Sequence, residues 1–274
     1  MNLSSRIKLN NGVEIPYFGL GTFQLKEGEE AYNAVKWAIE AGYKHIDTAM
    51  IYENEVSVGK AIKDSGIARD EIFVTTKLWN EDMRQDNQLN AIDDSLKRLG
   101  LDYVDLYLIH WPVPGKYVES WKKMEEIYKS GKVKAVGVSN FNIRHIKDIM
   151  AVSDLVPAIN QSECSPELTQ VELVDYCKKL GIVFEPWSPL GKGELLTLPE
   201  ITAMGQKYGK TPAQIALRWA LQMEFVSIPK SSQKSRIIEN ANIFDFELNE
   251  VDMKGLSALN KDKRVGPDPE DFDF

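Results

Sequence analysis

Four residues have types and spacing that suit proton transfer: Asp47, Tyr52, Lys77 and His110. Asp47 stands in "GYKHIDTAMIYENE", inside a short run that reads as a buried strand, and Tyr52 follows in a stretch too polar for core. Lys77 ends the run in "VTTKLWN" and His110 the run in "LIHWP". A free tyrosine titrates near ~10 and is a poor acid or base at neutral pH unless tuned. A lysine ammonium about 4 Å away is worth up to roughly 4 kcal/mol at an effective dielectric of ~20, about three pKa units before desolvation opposes it. A carboxylate would hold that lysine charged and in place, and a histidine could donate to a substrate oxygen. Such a set can protonate an oxyanion as it forms from a carbonyl. Singly, each has a plainer reading: Asp47 a cap or turn former, Lys77 a strand-end charge, His110 a core histidine. Their place at the same end of consecutive strands favours the joint one.

That argument needs strands to carry them. Short apolar runs at 17–23, 45–49, 72–78, 104–110, 133–140, 157–163, 182–189 and 225–230 alternate with stretches of helical period. The helical stretches include "EEAYNAVKWAIEAG", with Ala31, Ala34, Val35 and Ile39 on one stripe, "NAIDDSLKRLG", "SWKKMEEIYKSG", "IRHIKDIM" and "VELVDYCKKLG". Several end in glycine (Gly42, Gly100, Gly131, Gly181), the residue expected just past a helix. "IKLNNGVEIP" alternates around Asn-Gly and predicts an N-terminal β-hairpin. Eight strand–helix alternations predict an α/β fold, a single (β/α)8 TIM barrel filling residues 1–274 as one domain. In such a barrel, chemistry sits at the C-terminal ends of the strands, where Asp47, Lys77 and His110 fall. A doubly wound sheet is the alternative, but "GLGTF" is a weak substitute for its Gly-rich turn.

The chain has 274 residues, is 43% hydrophobic and 27% charged, and carries a net charge of −8. That acidic balance argues against a nucleic-acid partner. No apolar run could span a bilayer, and no signal-peptide pattern opens the sequence. The two cysteines, Cys164 and Cys177, have no metal-type spacing. They read as reduced thiols, no metal site is expected, and the protein is expected in the cytoplasm.

Three stretches together resemble the aldo-keto reductases: "GYKHIDTAMIYENEVSVG", "GLDYVDLYLIHWP" and "IPKSSQKSRIIENANIFDFEL", in that order, within a match running essentially the whole chain. The resemblance implies NADPH-dependent reduction of aldehydes and ketones on a (β/α)8 barrel. The family's tetrad falls on Asp47, Tyr52, Lys77 and His110. It implies Tyr52 as general acid, Lys77 lowering its pKa, Asp47 anchoring Lys77, and His110 orienting the carbonyl. For NADPH/NADP+ it implies Ser139, Asn140 and Gln161 at the carboxamide, with Trp187 stacked on the nicotinamide. Ser188 and Leu190 in "WSPLGKG" fall in the pyrophosphate loop, and Gly21, Thr22 and Asp47 lie where the first strands approach the cofactor. Lys230, Ser231, Ser232 and Arg236 fall on the positions for the 2′-phosphate, at a helix begun near Ser232, with Asn240 and Glu239 toward the adenine. Helix N-termini attract phosphate through free N–H groups. Two cations there favour NADPH over NADH.

The sequence departs from the family at "NQSECSP", where Ser165 replaces a histidine. A short loop in "HWPVPGKYVESW" and a compact tail resemble bacterial-type members that reduce methylglyoxal or diketogluconate. Trp79 and Trp111 are expected to wall an apolar cleft beside His110, for a small carbonyl substrate. The molecule is expected to be a monomer or weak dimer. Two other readings remain: an NADP(H)-binding redox-sensing barrel with little turnover, and a lyase or isomerase using Lys77 as a Schiff-base amine. The carboxylate paired with Lys77 disfavours the last, because it keeps the amine protonated.

Overall fold

A computed structural model describes residues 1–274. The chain opens with an antiparallel hairpin, β1 (Arg6–Lys8) and β2 (Glu14–Pro16), turning through the expected Asn-Gly pair. Then come β3 (Leu20–Gly21), α1 (Glu29–Glu40), β4 (His45–Asp47), α2 (Glu55–Asp64), β5 (Phe73–Leu78), α3 (Asn80–Arg84) and α4 (Gln88–Leu99). β6 (Val104–Ile109), α5 (Tyr117–Lys129), β7 (Val133–Ser139), α6 (Ile143–Met150), β8 (Ile159–Glu163), α7 (Val171–Lys179) and β9 (Val183–Trp187) continue the alternation. Four helices follow: α8 (Pro199–Tyr208), α9 (Pro212–Gln222), α10 (Lys234–Ala241) and α11 (Glu250–Ser257).

Strands β3 to β9 form one parallel sheet in sequence order. Residues 225–230 close it as the expected eighth stave, though with a single bridge, Phe18 to Ser227. Backbone hydrogen bonds run to both neighbours: Val226 N to Phe184 O, Ser227 N to Tyr17 O, Gly19 N to Ser227 O and Gly21 N to Pro229 O. Regular strand geometry stops there because Pro229 has no N–H to give. Of the remaining strands, β5 and β8 end where expected and the other five stop one or two residues short, where the chain turns into the loops that carry the site. The five helices read from the sequence are all present. α1 buries Ala31, Ala34, Val35, Ala38 and Ile39, and the four helix-ending glycines take φ from 63° to 95°.

The period of two divides every strand between two environments. Val74, Tyr107, Ile109, Val136, Val138 and Phe184 face the helices and join the main apolar core. Phe73, Leu106, Leu108, Ala135 and Ile159 face inward and fill the lower barrel, plugged by Leu9 and Ile15 of the hairpin. Above this apolar floor the inward positions turn polar: His45, Asp47, Thr75, Lys77, Gln161 and Glu185, all buried. The fold therefore places a water-excluded polar layer at the strand C-terminal ends, resting on a packed base. Outside the barrel, α2 and α4 meet at Gly59. A Cβ there would lie 1.8 Å from the carbonyl oxygen of Leu99, so only glycine permits the approach.

Candidate active site

Adjacent strands bring the polar side chains together. In the parallel register Gly21 pairs with Asp47, Asp47 with Thr75, and Lys77 with Leu108. Lys77 Nζ lies 2.7 Å from Asp47 Oδ1, 2.9 Å from Thr48 O and 3.4 Å from Tyr52 Oη. An ammonium has three N–H donors, and these three acceptors use all of them. Because Tyr52 Oη accepts from Lys77, its own O–H is left to point elsewhere.

Tyr52 reaches Lys77 through its loop. A single 3₁₀ turn, Met50–Tyr52, follows β4 and ends at Glu53 with φ 56°. Asn54 fastens this loop: its Oδ1 accepts from Thr48 Oγ1 at 2.7 Å, and its Nδ2 donates to Thr22 O and Leu25 O, each at 2.9 Å. The His110 ring stands edge-on to Tyr52 and to Trp79, with centroids 5.6 and 5.2 Å away.

Burial governs the charges. It would discharge the Lys77 ammonium, but Asp47 reverses this and holds the lysine's pKa above its ordinary value. Burial also pushes the Asp47 carboxyl up, against the pull of Lys77 and Gln161. For Tyr52, burial outweighs the pull of Lys77, and the phenol's pKa is raised rather than lowered. The cation acts in the expected direction without winning, and Tyr52 stays protonated through the neutral range. Burial, then Lys77, lower His110 well below 6.5, so its imidazole is neutral. Its Nδ1 is buried without a partner. The Nε2–H tautomer is the one that strands no buried donor.

These groups line one end of a cavity of about 950 Å³. Asp47, Tyr52 and His110 lie on its wall with Trp79 and Trp111, while Lys77 sits behind them, fully buried. The remaining expected residues line the same cavity: Gly21, Ser139, Asn140, Gln161, Trp187, Ser188, Leu190, Lys230, Ser231, Ser232, Arg236, Glu239 and Asn240. Thr22 is the exception. It is fully buried, and both its N–H and its Oγ1–H bind the carbonyl of Asp47 at 3.0 Å, so it braces the carboxylate's backbone instead of facing the cavity. The Asn140 amide is also engaged: Nδ2 donates to His110 O and Ser139 Oγ, and Oδ1 accepts from Trp187 Nε1. It aligns the ring of Trp187 with the neighbouring strands.

At the far end, α10 begins at Lys234, two residues later than expected, with no side chain capping its N-terminus. Lys230 and Arg236 are exposed there, and neither forms an ion pair. Two free cations beside an uncapped helix start, in a chain of net charge −8, fit a phosphate monoester. Glu239 is held by Thr211, whose Oγ1 donates to its Oε1 at 2.8 Å. Ser165, the departure from the family pattern, is a buried turn residue whose Oγ accepts from Glu167 N, away from the cavity.

The C-terminal tail contributes walls that the sequence did not announce. Phe274 stacks on Trp79 at 6.0 Å and stands edge-on to Trp111 at 5.1 Å, and Phe272 packs on Trp111. Asn80 and Arg84 hold the tail through the backbone oxygen of Phe274. Higher up, Val265 and Gly266 donate to the Glu163 carboxylate, where the tail crosses Trp187. Phe23, Ile51 and Lys192 are further lining residues missed by sequence reasoning.

An eight-staved barrel with a lysine–aspartate–tyrosine cluster and a histidine at its mouth defines a class. The chain belongs to the aldo/keto reductase family, whose model matches residues 18–261. It is 52% identical over 273 residues to a glyoxal reductase of Bacillus subtilis (strain 168), covering 100% of this chain and 99% of that one. It is 45% identical over 270 residues to a methylglyoxal reductase of Escherichia coli (strain K12), covering 97% of each. The structure of an aldo-keto reductase of Bombyx mori in complex with NADP matches with a TM-score of 0.90 at 40% identity, covering 96% of this chain and 95% of that chain. No helix is long and apolar enough to cross a membrane.

Proposed function

We propose that the protein is an NADPH-dependent reductase of small reactive aldehydes and ketones, of the glyoxal and methylglyoxal kind, with Tyr52 as general acid. The observation that carries this reading is the exhaustion of the Lys77 donors on Asp47, Thr48 O and Tyr52, which leaves the Tyr52 O–H free for the cavity. The glyoxal and methylglyoxal reductases at 52% and 45% identity support the substrate class, and the NADP complex of a 40%-identical relative supports the cofactor. Lys230, Ser231, Ser232 and Arg236 would hold the 2′-phosphate, Ser188 and Leu190 the pyrophosphate, and Ser139, Gln161 and Trp187 the nicotinamide. When bound, NADPH supplies the hydride.

His110, neutral, donates from Nε2 to the carbonyl oxygen and holds it beside Tyr52. Tyr52 would give its O–H proton to that oxygen as negative charge develops there during reduction, so the neutral alcohol forms. Lys77 stabilises the phenolate that remains, and solvent returns its proton. Asp47, braced by Thr22, keeps Lys77 charged against burial. Trp79, Trp111 and Phe274 exclude water from the carbonyl end. The free, buried thiols Cys164 and Cys177 suit a reducing cytoplasm.

A panel of aldehydes, ketones and sugars, each with NADPH and with NADH, tests the reading. Loss of reduced-nicotinamide absorbance should be fastest with methylglyoxal or glyoxal and with NADPH. Tight NADPH binding without turnover on any carbonyl would contradict it and favour a sensing role.

A further inference from the structure

Beneath the proposed proton-delivery groups, the barrel encloses a carboxyl that the chemistry leaves idle. Glu185 on β9 is fully buried. Its Oε2 accepts from Gln161 Nε2 at 2.9 Å, and the same nitrogen donates to Asp47 Oδ2 at 2.8 Å. Register creates this bridge, since Gln161 pairs with Ser139 on one side and Glu185 on the other.

A primary amide has two N–H donors and one oxygen. Both Gln161 hydrogens are therefore committed to carboxyl oxygens below the cavity. Flipping the amide would set its oxygen against Asp47, ionised opposite Lys77, so one orientation is enforced. The amide oxygen has no partner within the protein, and Gln161 lines the cavity. It is offered to a ligand as an acceptor only, which suits the N–H2 of a primary carboxamide.

The surroundings keep Glu185 an uncharged acceptor. The titratable groups near it are Asp47 and His45 from β4, Lys77 from β5, and Tyr52 beyond. His45 Nε2 is 3.9 Å from Glu185 Oε1, and neither Oε1 nor His45 Nδ1 has a hydrogen bond. Burial drops His45 to about 3, so it is neutral. Burial, then Asp47, push Glu185 up to about 8, against Gln161 and Lys77. At neutral pH, Glu185 can thus hold Gln161 without placing a second negative charge beneath Lys77.

We propose that Glu185 is a positioning residue that, with Asp47, clamps the Gln161 amide so that its oxygen is a fixed acceptor for the nicotinamide carboxamide. This rests on the NADPH reading above and adds a residue to it.

The test compares Glu185→Leu and Glu185→Gln with wild type, using the intrinsic-fluorescence change on titration with NADPH and with 2′,5′-ADP, which lacks the nicotinamide. Glu185→Leu removes one acceptor and should raise the NADPH Kd about tenfold, as expected for one lost hydrogen bond, with 2′,5′-ADP unchanged. Glu185→Gln keeps a carbonyl acceptor and should restore NADPH affinity. Unchanged NADPH affinity in Glu185→Leu, or equal weakening of both ligands, overturns the clamp. If Glu185→Leu does not fold, Glu185→Met is titrated in its place with the same outcomes, and a Glu185→Gln protein with weakened NADPH affinity also overturns the clamp. Failure of wild type to bind either ligand would instead defeat the functional reading beneath it.

Discussion

Replacing Lys77 with methionine removes a charge at nearly constant volume, so its effect isolates the electrostatics of the site. Lys77 Nζ lies 3.4 Å from Tyr52 Oη. At an effective dielectric of ~20, a unit charge at that distance stabilises a tyrosinate by about 5 kcal/mol. With proton transfer between half and fully complete in the transition state, that is a loss of roughly 10²- to 10⁴-fold in rate. The substitution also strands Asp47, which is 2% exposed. Breaking a buried pair from one side costs about 3–5 kcal/mol. Uptake of a proton by Asp47, which its burial already favours, would offset part of that. Lys77→Met should therefore fold with a lowered Tm and still bind NADPH. In stopped-flow single turnovers with methylglyoxal, its hydride transfer should fall within the stated range. A variant within tenfold of wild type would show that Lys77 does not stabilise charge on Tyr52, and the reasoning would be refuted.

Arg236→Ala should raise the NADPH Kd roughly 10- to 100-fold, the worth of one charge-assisted contact, and leave NADH binding unchanged in parallel titrations. Phe274→Ala removes the ring stacked on Trp79, and should raise the aldehyde KM several-fold, for about 1 kcal/mol of aromatic contact, with the NADPH Kd unaltered. Glu185 has a folded pKa raised from 4.5 to about 8, so between those values the native state holds a proton that the unfolded state has lost. Its stabilisation is complete below pH 4.5 and disappears as pH rises through 8; urea midpoints should fall across that window in wild type, and Glu185→Gln should flatten the fall. Gly59→Ala should lower Tm by several degrees in a thermal melt, because the new methyl meets the Leu99 carbonyl between α2 and α4.

The barrel was legible because each stave is a short apolar run and each expected helix carries its stripe and its terminal glycine. Asp47, Lys77 and His110 stood out because a charge at the end of such a run needs a reason, and strand alternation then turned them toward one mouth. Glu185 carries the same signal, a carboxylate inside "IVFEPW", and would have been found by applying the rule to every strand. Asn54 and Thr22 gave no such signal: their roles lie in hydrogen bonds to the backbone carbonyls of Thr22, Leu25 and Asp47, which only the loop geometry creates. Phe274 was hidden for another reason. The ending "EDFDF" has no period, and its aromatic ring reaches Trp79 only because Arg84 and Asn80, from a distant helix, hold the chain there. The direction of the Tyr52 shift was also beyond sequence. The pull of Lys77 could be foreseen, but the burial that outweighs it depends on the cavity wall as a whole.

Tyr52→Phe deletes one oxygen and leaves Lys77, Asp47 and His110 in place, so it tests the central claim most directly. With NADPH affinity confirmed equal to wild type, the rate of hydride transfer to methylglyoxal in a single turnover should fall at least roughly a hundredfold, the lower bound for losing a positioned general acid. A Tyr52→Phe protein that transfers hydride at the wild-type rate would contradict the account.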